Sequence, residues 1–163
     1  SGDTVQFNAQ YDLKTNMFYI KDLLYQCISG KRVVGYHTAS NPEAIYQNSR
    51  HTMKDKKLPK GFYREIVDGK YTFLATLVLK QLPTTSNSYM HHATEAPEPK
   101  FKTEMVYMMA TDKTLEEAET KKKKLAKAFP EKRKEVEKYI DDNDIDLKSE
   151  EGLKAVFEYV NQL

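Results

Sequence analysis

The chain has 163 residues, 39% hydrophobic and 31% charged, a size at which one domain buries a core without disulfide or metal staples. Residues 1–110 carry 14 Lys/Arg against 10 Asp/Glu and residues 111–163 carry 12 against 14, so neither part is basic enough for a nucleic-acid footprint. Cys27 is the one cysteine, which excludes an intrachain disulfide and a cysteine-based zinc site, and no apolar run approaches the ~20 residues that span a bilayer.

The chain opens on Ser1-Gly2 without a methionine, as expected of a processed or truncated product, and shows no signal peptide. Val5, Phe7, Ala9 and Tyr11 alternate with Gln6, Asn8 and Gln10, the period of a strand with one wet face. Lys14-Thr15-Asn16 reads as a turn and Met17 to Ile20 as the returning strand, followed by Leu23 to Cys27. Ser29-Gly30 supplies the next turn, and Arg32 to His37 the next strand. Between Thr38 and Lys60 the pattern turns polar, with Asn41-Pro42 as a turn signal, and predicts an irregular excursion with a helical turn near Ala44-Ile45-Tyr46.

Phe62 to Val67, Asp68-Gly69 and Lys70 to Lys80 predict a hairpin, with Asp-Gly favouring a type I′ turn because both central residues must accept positive φ. The second strand of that hairpin is apolar on both faces and belongs at a sheet centre. Pro83, Pro97 and Pro99 make 82–100 a long loop, and Phe101 to Ala110 resumes the strand pattern. From Thr114 the period changes. Thr114 with Glu117 reads as a capping box that opens a helix to about Ala128. Pro130 suits the first turn of a second helix with Val136, Tyr139 and Ile140 as its stripe. A third begins near Ser149 and carries Leu153, Val156, Phe157 and Val160 at i, i+3, i+4, i+7.

The expected fold is therefore α+β: an antiparallel sheet or partly closed β-barrel over about 4–110, then two or three short helices. Residues 1–113 form the β-rich body and 114–163 a helical unit that must pack on it, since helices this short are marginal alone.

Lys121 to Leu163 pairs a Lys-rich helix ending at Phe129-Pro130 with an Ile145-Asp146 linker and a final helix containing Glu158-Tyr159 and Asn161-Gln162-Leu163. In these features it resembles the C-terminal segment of a family of uncharacterised exported proteins from Bacteroidetes-type bacteria. Tyr11-Asp12 to Ile20-Lys21, and Gly61-Phe62-Tyr63 to Leu74, are similar to that family's β-rich body. The resemblance implies export to the periplasm or cell envelope. It transfers no catalytic residue.

Lys121 to Lys124, with Lys127, could meet phosphates or an anionic surface, yet Glu116, Glu117 and Glu119 precede them and a solvated helix face explains the run. His91 and His92 are adjacent on a predicted loop and point apart, so no metal site is expected. Asp141, Asp142, Asp144 and Asp146 lack the glycine and closing glutamate of a calcium loop. No phosphate loop, nucleophile elbow or zinc-protease helix occurs, and no cofactor is expected. Tyrosine combines apolar area with a polar tip, which suits both sheets and recognition surfaces. Tyr36, Tyr63, Tyr71 and Tyr107, with His91 and His92, are the candidate binding residues. The expected function is a non-enzymatic binding or structural module for a protein or small ligand. The alternatives are an enzyme built from His37, His51, Asp68 and Cys27, and an anionic-surface binder using the lysine cluster.

Overall fold

A computed structural model describes residues 8–20, 27–29, 34–49, 61–83, 100–112 and 114–163. Two antiparallel sheets precede the helices. The smaller joins β1 (Ala9–Asp12), β2 (Met17–Ile20) and β3 (Cys27–Ser29). The larger is a six-stranded meander in sequence order: β4 (Gly35–Thr38), β5 (Asn41–Asn48), β6 (Phe62–Val67), β7 (Thr72–Gln81), β8 (Phe101–Ala110) and β9 (Leu115–Glu117). It does not close: β4 ends it on one side and β9 on the other. Three short helices follow, α1 (Lys122–Lys127), α2 (Arg133–Asp142) and α3 (Glu150–Gln162), with a 3-10 turn at Pro130–Lys132 leading into α2. No helix among the described residues is long and apolar enough to cross a membrane.

One face of the six-stranded sheet carries two coverings. On β7, Phe73 and Leu77 are four residues apart and so share a face. Phe73 packs into the helical cluster with Tyr71, Met109, Phe129, Val136 and Phe157. Leu77 and Met105 instead lie against Phe18, Tyr36, Tyr46 and Phe62, where the three-stranded sheet seats its aromatic side chains. The helices thus cover one end of this face and the small sheet the other. Phe73, Phe129 and Phe157 are fully buried, and each such side chain contributes about 1.5–3 kcal/mol by leaving water. On the opposite face Tyr63, Leu74 and Ala110 form a separate cluster with Met108 and Leu115.

Three local expectations are corrected. The polar stretch after Thr38 contains a regular eight-residue strand, β5, in which Ala44, Tyr46 and Asn48 are buried and Ile45 is exposed. Asn41-Pro42 begins that strand beside its turn, where a missing N–H is tolerated. Apolar Ile45 on its wet face and polar Asn48 on its buried face break the alternation. Second, the capping box at Thr114 does not form. Thr111 donates its N–H to the Thr114 carbonyl at 2.9 Å, and the hydroxyls of Thr111 and Thr114 lie 2.9 Å apart, which closes a hairpin and makes Leu115–Glu117 a strand on β8. Helix α1 starts only at Lys122. Pairing of Leu115 against Ala110 buries apolar area that an isolated helical turn would leave wet.

Third, the Asp68-Gly69 connection is not a two-residue type I′ turn. Val67 faces Phe73 as the last pair, Gly69 alone takes a positive φ of 149°, and Thr72 donates its hydroxyl to the Gly69 carbonyl at 3.1 Å. The longer loop is shaped from outside by α3. Asn161 accepts the Tyr71 N–H at 3.0 Å and donates to the Tyr71 carbonyl at 2.9 Å and to the Asp68 carbonyl at 3.4 Å. A β-carbon on Gly69 would stand 2.6 Å from the Asn161 amide, so this contact requires glycine. The predicted loop at 82–100 lies outside the described residues except at its two ends.

Candidate functional site

The four candidate tyrosines do not converge. Tyr36 is half-buried on β4, stacked on Tyr46 with centroids 5.3 Å apart and tilted on Tyr11 at 5.2 Å. Burial, then the neighbouring Tyr11 and Tyr46, pushes its hydroxyl well above the usual phenol range. Tyr63 is buried on the opposite face, where burial also raises its pKa. Tyr71 meets the Phe129 ring edge-on at 4.8 Å. Tyr107 lies 5.5 Å from Phe73, and burial together with the Glu150 carboxylate pushes its pKa up to about 12. These four residues are divided among three packing clusters, where each contributes to a core. His91 and His92 lie outside the described residues, as does His51. His37 is exposed on β4, whereas Asp68 belongs to the loop gripped by Asn161.

Sequence reading passed over an ion pair at the centre of the covered face. Arg64, Ala75 and Tyr107 stand in one row across β6, β7 and β8. Arg64 makes a two-pronged contact with Glu150 at the start of α3, one prong at 2.9 Å, and lies 5.9 Å from the Tyr46 ring. Burial opposes the guanidinium charge, and the Glu150 carboxylate more than offsets it, so the Arg64 pKa is raised. This pair and Asn161 anchor the two ends of α3 to β6 and the loop that follows it. No local pattern joins residues 86 apart, which is why the pair is invisible in the chain order.

The accessible chemistry gathers where β9 meets α1. A cleft of about 300 Å³ is lined by Met109, Ala118, Leu125 and Ala128, with Glu116, Glu117, Glu119, Lys124 and Lys127 as its charged residues. Glu119 and Lys124 pair at 3.1 Å, which leaves Glu116 and Lys127 as the unpaired charged side chains on the cleft face among the described residues. The edge itself has a readable polarity. Thr111 donates its N–H to the Thr114 carbonyl and Ala118 donates to the Tyr107 carbonyl at 2.8 Å. In an antiparallel ladder bonded pairs alternate with unbonded ones, so Glu116 turns its main chain toward Met109 while Leu115 and Glu117 turn theirs outward. The open side of β9 therefore presents an N–H and a C=O from each of Leu115 and Glu117. Directly paired residues share a face, so Glu116 and Ala118 face the cleft, and Leu115 and Glu117 face the other side.

No family model, no curated protein and no solved structure matches the chain. The site offers hydrogen-bonding main chain, an apolar recess and a mixed charged rim, which together suit association with an extended segment. Of the lysine run, Lys122 pairs with Asp141 at 2.7 Å and Lys124 with Glu119, so carboxylates answer two of its ammonium groups. Among the described residues no three His, Cys, Asp or Glu side chains are grouped to hold a metal. Asp144 takes a left-handed φ of 48° and Asp146 accepts the Lys148 N–H at 2.9 Å, both parts of the turn between α2 and α3. Thr114 and Glu117 fit a helix cap by their spacing; Leu115 and Glu117, two residues apart, are the signal that marks the strand.

Proposed function

We propose that this protein is an exported, cell-envelope binding module without enzymatic activity, and that the β9 edge with its adjoining cleft is the contact surface. The supporting observation is the pair of outward main-chain groups at Leu115 and Glu117 beside an apolar recess. An open sheet edge is a template for another strand, and β9, short and carrying two exposed glutamates, admits only a strand that answers those charges. Export rests on the resemblance of Phe129-Pro130, Ile145-Asp146 and Asn161-Gln162-Leu163 to the C-terminal segment of exported proteins. The deciding experiment places a photo-crosslinking residue at position 117 of the full gene product and, as a control, at the exposed Lys138 on α2. Irradiated cells should yield adducts from position 117 in the envelope fraction and none from position 138. Equal labelling from both, or no adduct from 117, overturns the reading.

A further inference from the structure

We infer that the occupant of the β9 edge is an extended peptide segment of another protein, pairing as a seventh strand and placing cationic side chains against Glu116 and Glu117. This rests on the binding-module reading and adds the chemistry of the partner. The register follows from the ladder. A peptide running antiparallel to β9 bonds through the residues opposite Glu117 and Leu115, the two positions whose main chain faces outward. Its residue opposite Ala118 faces the cleft, whose floor of Met109, Leu125 and Ala128 calls for an apolar side chain. The residues opposite Glu117 and Glu116 meet two exposed carboxylates, one on each face of the sheet, and so should be Lys or Arg. The residue opposite Leu115 completes the apolar cluster of Tyr63, Leu74 and Ala110.

Charge also decides against a second copy of this chain on the same edge. The antiparallel register that joins Leu115 to Glu117 of a second β9 sets Glu116 against Glu116, and the register that joins Glu117 to Glu117 sets that carboxylate against itself, and like charges across a strand pair repel. The same acidic pair that blocks self-association selects a basic strand. Lys127, on the far rim, is the one unpaired cation among the described residues lining the cleft.

The probe is the labelled peptide acetyl-Thr-Leu-Lys-Lys-Val-Thr-amide, compared by fluorescence anisotropy with the Gln-Gln and Glu-Glu versions of the same peptide. The Lys-Lys peptide should bind and the Glu-Glu peptide should bind at least about tenfold more weakly. Glu117→Pro removes an N–H that points away from β8, so the ladder survives while the new strand loses a bond, and affinity should fall about tenfold beyond the loss in Glu117→Gln. Lys127→Glu, an exposed substitution that leaves the core intact, should strengthen binding of the Lys-Lys peptide a few-fold and keeps the idea testable if the proline variant does not fold. Equal binding of all three peptides, or no change in Lys127→Glu, overturns the cationic partner. Wild-type affinity in a folded Glu117→Pro variant overturns strand pairing. If no peptide binds, the inference falls; the binding-module reading is judged separately, by adducts at position 117.

Discussion

Asn161 is the residue through which the last helix holds the β6–β7 loop, and replacing it by alanine isolates that contact. The substitution removes the two bonds to the Tyr71 peptide groups, at 3.0 and 2.9 Å, and the longer one to Asp68. Tyr71 is only 8% exposed, so its N–H and C=O regain water poorly. Each stranded group costs about 1–3 kcal/mol when fully buried, and partial access at this edge brings the total to about 2 kcal/mol. In a chain of this length that lowers the melting midpoint by about 4–8 °C. Gly69→Ala attacks the same contact from the other side, since its β-carbon would meet the Asn161 amide at 2.6 Å and its φ of 149° disfavours any side chain. In the double variant the clash disappears and only the backbone strain persists. Urea unfolding followed by circular dichroism should therefore give a coupling of at least about 1 kcal/mol between the two sites. Simple additivity, or a midpoint for Asn161→Ala within about 1 °C of wild type, would refute the clamp.

Phe157→Ala deletes a ring stacked on Phe73 at 4.8 Å and set edge-on to Phe129 at 5.5 Å, and should destabilise the fold by about 3–5 kcal/mol, measured by denaturant unfolding. Arg64→Met leaves the Glu150 carboxylate, one quarter exposed, without its partner and should cost about 1–2 kcal/mol; Glu150→Gln keeps the shape and removes the charge, so an unchanged stability in that variant would show that charge matters less than shape. Alkaline pH should unfold the protein cooperatively. Tyr107 is held up to about 12, and Tyr36 and Tyr63 are also raised, while an unfolded tyrosine ionises near about 10. The folded state then retains protons that the unfolded state releases, so this stability is complete below the unfolded value and is lost as pH rises through the folded one. With 11 tyrosines and no tryptophan, tyrosinate absorbance reports the event directly. A titration in which every tyrosine ionises near its unfolded value, with circular dichroism unchanged, would contradict it.

Several elements were legible because their signals are local. The stripe of Leu153, Val156, Phe157 and Val160 is buried as its spacing demands, and Ser149 caps that helix by accepting the Gly152 N–H at 3.0 Å. Pro130 does open the turn into α2, and the apolar β7 lies inside the sheet between β6 and β8. The α+β class followed from these periods. Where two local patterns competed, the sequence alone favoured the wrong one: Thr114 and Glu117 satisfy a capping box, yet a three-residue strand won because β8 supplied a ladder and Ala110 and Met108 an apolar seat for Leu115. Such preferences differ by less than the gain from burying a side chain, so packing overrides them. The contacts that orient α3, Arg64 with Glu150 and Asn161 with Tyr71, join residues 86 and 90 apart. Only the folded chain brings them together, and only it divides the tyrosines among separate cores and leaves the main chain of Leu115 and Glu117 facing outward.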